Sequence, residues 1–213
     1  MARRSTKERV LETSAELFNR YGIDAVSIGQ ISDALKISTG NLTYHFKKKA
    51  DLVTAHIAAL EETLLTEVDR FPVISNPKEF SEAYVSLLGL TLNYRFLFVG
   101  STYILQNDLV EAKRYQHLIT ATKNTFVRQV KRLTHEGFMT PIQKPYDAEM
   151  LVDAIWWQWL GWMLVTQIDL PENRKAERKQ LADAVLHILF LAHHYIDASF
   201  FSAVQAELKK LAR

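Results

Sequence analysis

The chain contains no cysteine. Disulfides, thiol chemistry and thiolate metal sites are excluded, and the absence fits a reducing compartment. Glycine and proline are scarce, seven and five in 213 residues, so helices have few places to break. The longest apolar runs, such as Ile188 to Ala192, fall far short of a membrane span. The opening MARRSTKERV is charged, and no apolar signal-peptide core follows it. Strand alternation, internal repeats and low-complexity tracts are also missing. These absences predict a soluble, cytoplasmic, all-α chain with no membrane partner.

Hydrophobic residues make up 48% of the chain, enough to bury a sizeable core. The net charge of +2 is unevenly spread. Residues 1–50 hold nine Lys and Arg against five acids, a balance of +4, whereas residues 51–213 hold seventeen against nineteen, a balance of −2. A small basic module on a slightly acidic body is the pattern of a nucleic-acid reader attached to a regulatory domain. The charge step divides the chain into an expected basic module over 1–50 and a larger helical body over 51–213.

Capping chemistry places the first helices. Ser5 or Thr6 opens one in which Val10, Ser14, Leu17, Phe18 and Tyr21 form a stripe, and Gly22 closes it. Ser27, three residues before Gln30, is a capping-box pattern. The second helix then runs to Leu35 with Ile31, Ala34 and Leu35 inward. Lys36-Ile37-Ser38 is a turn with Ile37 as its plug, and Ser38 caps a third helix from Thr39 to Phe46. Leu42 and Phe46 point inward from it. Two short helices about a three-residue turn match the geometry that puts the second helix in a major groove. Asn41 suits an adenine edge and Thr39 a thymine methyl. Gly40 allows close approach. Tyr44, His45, Lys47, Lys48 and Lys49 are placed for phosphates, Thr43 for a thymine methyl or a phosphate, and Ser27 with its helix amino end for a phosphate. Lys49→Ala is expected to flatten the salt slope by about one, and Asn41→Ala to relax one base pair.

The order and spacing of Ala15, Leu17-Phe18, Gly22, the Ser27–Ile31 helix start, Ala34-Leu35, Ile37-Ser38, Gly40, Leu42, His45-Phe46, Lys49 and Leu52 resemble the TetR family of bacterial regulators. Two positions depart from the family pattern. Lys36 stands where Gly is usual in the turn, and Thr43 where Tyr is usual. The resemblance implies a homodimer reading two operator half-sites, most often as a repressor that a small molecule releases.

Further along, helices are expected over Asp51–Phe71, Lys78–Phe98, Leu109–His135, Ala148–Ile168, Arg174–Tyr195 and Ala198–Leu211, with a short piece before Asn107-Asp108. The segment IWWQWLGWMLV, Ile155 to Val165, is apolar nearly all round and must be covered on two sides. The resemblance supplies the covers, a partner subunit and a ligand cavity. Trp157, Gly161 and Leu164, with Leu181, Val185, Ile188, Leu189 and Ala192 of the next helix, are the expected dimer face. Polar groups on apolar helices nominate the pocket: Tyr84, Tyr94, Tyr103, Gln106, His117, Thr120, Trp156, Gln158 and Gln167. Such a lining suits a small apolar or aromatic effector.

His193 and Asp197 lie one turn apart but find no third ligand, so no metal is expected, and no cofactor. No nucleophile–base pair or phosphate loop stands out. The competing readings are an all-helical small-molecule-binding protein or enzyme without DNA binding, and an architectural DNA-binding protein without an effector.

Overall fold

A computed structural model describes residues 5–69, 71, 76–166 and 174–213. Eleven helices are found among the described residues, with no strand pairing beyond one isolated bridge, Met139 to Ile196. The chain divides into two compact units. The first comprises residues up to Thr63 together with Leu92–Leu118, and the second comprises Leu64–Thr91 and Ile119–Arg213.

The first unit begins with α1 (Thr6–Tyr21), α2 (Ile28–Leu35) and α3 (Thr39–His45). Each starts on a serine. Ser5 and Ser27 make complete capping boxes with Glu8 and Gln30, and Ser38 accepts from the Asn41 amide. Gly22 leaves α1 with φ +85° and ψ 154°, a region open essentially to glycine. The α2–α3 turn closes through Lys36, at φ 55° and ψ 44°. Its N–H donates to Asp33 O, and the next N–H, of Ile37, reaches back to Ser32 O at 3.1 Å. This is a Schellman closure. Its two bonds, each worth about 1 kcal/mol net, offset the roughly 1–2 kcal/mol that a side chain pays in the left-handed region. Val10, Phe18, Ile31, Leu42 and Phe46 are buried as expected. Ala34 and Tyr21 instead face solvent, Ile37 is half-buried, and Ser32 turns inward, its Oγ donating to Ile28 O.

Five further pieces complete this unit: the first part of α4 (Lys49–Val68), the end of α5 (Pro77–Asn93), the short α6 (Arg95–Val99) and α7 (Ser101–Asn107), and the start of α8 (Leu109–His135). The single helix expected over 78–98 is two, because α5 (Pro77–Asn93) ends before Tyr94. His56 of α4 sits at the centre, 3% exposed, ringed by Phe18, Tyr94 and Phe96. Its Nε2 lies 2.9 Å from Ser14 Oγ. Burial lowers its pKa to about 4. This Ser–His contact is core packing, since Ser14 is itself fully buried.

The second unit is built from the remainders of α4, α5 and α8 with α9 (Ala148–Thr166), α10 (Arg174–Ala192) and α11 (Ala198–Leu211). Asp147 caps α9 through the Met150 amide, and Asp197 caps α11 through Ser199 and Phe200. Rings pack edge to face around Phe71, Tyr84 and Phe126, and around Phe80 and Phe200. Ser81 Oγ is within 3.4 Å of Val204 O, joining α5 to α11. No helix among the described residues is long and apolar enough to cross a membrane.

Candidate nucleic-acid interface and effector cavity

On α3 only Leu42 is buried. Thr39, Gly40, Asn41, Tyr44 and His45 are exposed, and so are Lys47 and Lys48 just beyond the helix. Tyr44 is 85% exposed, with its ring edge-on to His45 at 5.2 Å. These side chains form one face of polar, aromatic and cationic character that the protein leaves uncovered. Thr43 is half-buried and spends its hydroxyl proton on Gly40 O at 3.2 Å. Ser27 is exposed, but its Oγ is taken by the Gln30 amide, so its role in the structure is to cap α2.

Lys49 has an occupation that its sequence context did not suggest. Its Nζ donates to Ile23 O at 2.7 Å and Asp24 O at 3.1 Å, and it lies 5.3 Å from the Tyr103 ring centroid. Two of its three N–H donors are thereby spent inside the protein. In this arrangement it ties the α1–α2 connection to α7 and has little left for a phosphate.

The second unit holds a cavity of about 70 Å³. Its walls are Leu64 of α4; Tyr84, Leu87, Leu88 and Thr91 of α5; Thr122, Phe126 and Val130 of α8; Val152, Ile155, Trp156 and Trp159 of α9; and Ile188 of α10. Tyr84 is the one titratable side chain among them, and burial pushes its phenol above the usual range, so the walls carry no charge at neutral pH. Thr91 turns its hydroxyl proton back to Leu88 O. Trp156 and Trp159 stack obliquely at 4.7 Å. A lining of this kind accepts a neutral, largely apolar molecule.

Of the pocket residues nominated from sequence, Tyr84 and Trp156 line this cavity. Tyr94, Tyr103, Gln106 and His117 belong to the first unit, and Gln106 and His117 are exposed there. Thr120 and Gln158 are also exposed, on the solvent side of α8 and α9. Gln167 lies outside the described residues. Leu87, Leu88 and Phe126 were missed because an apolar side chain at a cavity has the same helical periodicity as one in solid core.

The proposed interface helices divide unequally. On α9, Trp157 (67% exposed), Gly161, Leu164 (54%) and Val165 (60%) recur at i, i+4, i+7 and i+8 and form one uncovered apolar stripe. On α10, however, Leu181, Val185, Ile188, Leu189 and Ala192 are all buried within the unit. That stripe is the subunit's own core, where it packs beside α9 and α11, and Ile188 faces the cavity. The apolar side chain that α10 does expose is Phe190 (66%), stacked on His193. His193 and His194 rings lie 3.7 Å apart, and His193 Nδ1 contacts Phe190 O at 2.7 Å. Asp197 is engaged as a cap.

Comparison with known proteins agrees with this geometry. Residues 10–55 match a family model described as bacterial regulatory proteins, tetR family, and residues 54–204 match one described as TetR, bacterial transcriptional repressor. The chain is 23% identical over 173 residues to the probable HTH-type transcriptional regulator YttP of Bacillus subtilis (strain 168), covering 69% of this chain and 82% of that protein. Its fold is similar to the crystal structure of a TetR-family transcriptional regulator from Marinobacter aquaeolei VT8, with TM-score 0.79 and 21% identity over 98% of this chain and 99% of that one. It is also similar to a gamma-butyrolactone receptor described as ArpA-like, with TM-score 0.70 and 14% identity over 97% and 96%.

Proposed function

The chain belongs to the TetR family of bacterial DNA-binding transcriptional regulators, and from that premise we propose a homodimeric repressor, with residues 1–50 contacting DNA and residues 51–213 serving the effector and the dimer. The observation that carries the DNA reading is α3, a helix that buries Leu42 and leaves Thr39, Asn41, Tyr44 and His45 exposed. Asn41 and Thr39 read base edges; Tyr44, His45, Lys47 and Lys48 hold phosphates. Lys49 positions the head from behind. A seven-residue helix reads few bases, so affinity and specificity come from pairing two heads on two half-sites. The uncovered stripe Trp157, Gly161, Leu164 and Val165, with Phe190, is the surface that a second copy covers.

The effector is small, neutral and apolar or aromatic. A cavity of about 70 Å³ is well below the roughly 300–1,000 Å³ of a drug-sized site, so an effector must spread the walls to enter. Helices α4, α5 and α8 each contribute residues to both units. Spreading at Leu64, Thr91 and Thr122 therefore acts on helices that continue into the DNA-reading unit. A ligand that favours the spread state lowers the population able to bind the operator. The likeness to a gamma-butyrolactone receptor supports a small-molecule input.

The test is selection of bound duplexes from a random DNA pool by the purified full chain. The expected product is a motif of two inverted half-sites. A pool that stays random, or enriches one half-site only, rejects the reading.

A further inference from the structure

Helix α6 is five residues long, and its N-cap residue, Tyr94, makes no side-chain capping bond. A single turn of this length does not hold itself in water. Its amino end is instead completed by a residue of another helix. Asn19, in the last turn of α1, accepts from the Phe96 amide through Oδ1 at 3.1 Å and donates from Nδ2 to Asn93 O at 2.8 Å. The service is returned. An Arg95 Nη donates to Asn19 O at 3.1 Å, one of the terminal carbonyls that α1 cannot satisfy within itself. Arg95 is 9% exposed, so its charge is committed to this end of α1.

The surroundings keep the two helices at this distance. Phe18 and Phe96 pack with centroids 5.4 Å apart. A Cβ at Gly100 would come within 2.6 Å of Phe96 O and 3.2 Å of Ile23 Cδ1. Lys49, bonded to Ile23 O and Asp24 O and facing Tyr103, fastens the neighbouring corner. Neither Asn19 nor Arg95 lies on α2 or α3, the helices assigned to DNA.

We propose that Asn19 and Arg95 form a reciprocal cap that fixes the angle at which α1, and the reading head it supports, is held against α6. Asn19 is a positioning residue for operator recognition. The inference rests on the two-headed reading above, because head angle matters only when two heads must meet two half-sites in register. Losing the cap frays the start of α6 and lets each head take several angles.

The experiment compares the full-length wild type with Asn19→Ala and Arg95→Lys on three duplexes: the selected operator, that operator with one base pair inserted between half-sites, and a single half-site. Asn19→Ala is expected to weaken binding to the native operator about tenfold. It should leave the half-site affinity unchanged and shrink the penalty for the inserted base pair. Arg95→Lys, which keeps one donor for Asn19 O, should stay near wild type. Hydrogen exchange of the Phe96 amide should quicken in Asn19→Ala while the middle of α1 is unaffected. An equal loss on operator and half-site, an unchanged spacing penalty, or an unaltered Phe96 amide overturns the cap. The wild type alone tests the two-headed reading, since it must prefer two half-sites to one. If Asn19→Ala melts near the assay temperature, Asn19→Ser carries the same readouts.

Discussion

Helices α3 and α9 both turn an aromatic side chain to solvent, and their neighbours are opposite in kind. Tyr44 stands 85% exposed among Asn41, His45, Lys47 and Lys48, whereas Trp157 stands 67% exposed among Gly161, Leu164 and Val165. Exposure by itself names no partner; the company does. A ring among cations and hydrogen-bond donors gains from a polyanion whose counterions it can release. A ring among aliphatic side chains gains only by losing water, which means another apolar surface.

The most severe way to break this comparison is to charge the apolar side. Trp157→Glu combined with Leu164→Glu should convert the dimer to monomers by sedimentation equilibrium and cut operator affinity about a thousandfold through lost avidity. Both residues are exposed in the single subunit, so its helix content should be unchanged. A double variant that remains dimeric would assign the stripe another purpose.

The two units should also part company under acid. His56 is buried in the first unit with a pKa near 4, against about 6.5 when unfolded. Between those values the unfolded chain binds the extra proton, so stability is full above pH 6.5 and is lost as pH falls towards 4. The expected loss is about 3 kcal/mol, read from urea midpoints. His56→Gln keeps a partner for Ser14 and should flatten the dependence. The second unit has no buried histidine among its described residues. All four tryptophans lie on α9, so their fluorescence follows that unit alone and should move less with pH. Coincident acid transitions would remove the distinction.

The smallest effect refines the polar side. Replacing Lys47 and Lys48 together with Ala should lower the slope of log affinity against log salt by about two, roughly a tenfold change between 50 and 200 mM salt. Lys49→Ala should leave the slope nearly unaltered while lowering the melting temperature, because its ammonium serves Ile23 O and Asp24 O. A Lys49→Ala slope change as large as that of Lys48→Ala would return it to the phosphate contacts.

How much of this was legible without coordinates depended on range. The serines at 5, 27 and 38 announce their helices because a cap and its target lie within three residues. The left-handed Lys36 was legible only through the resemblance, because it stands where the family usually has Gly in the turn. The break at Tyr94 left no such mark, since neither glycine nor proline stands there and the cap that starts α6 comes from residue 19. The α10 stripe shows the limit of periodicity. Leu181, Val185 and Leu189 identify a face that must be covered, but spacing cannot say whether the same chain or a second copy covers it. The cavity was hidden for a related reason. Polar outliers such as Gln158 drew attention, while most of the walls are aliphatic and aromatic side chains of ordinary core type, with Thr91 and Thr122 among them.

The reciprocal cap also has a bearing on the order of synthesis. Residues 1–63 leave the ribosome well before residues 93–96, which carry the atoms that Asn19 needs. The reading head can gather its local helices early, yet its seat is built only after α5 has been made. If the cap sets the head angle as proposed, that angle is fixed only once the beginning of α6 has emerged, through a contact of long sequence separation.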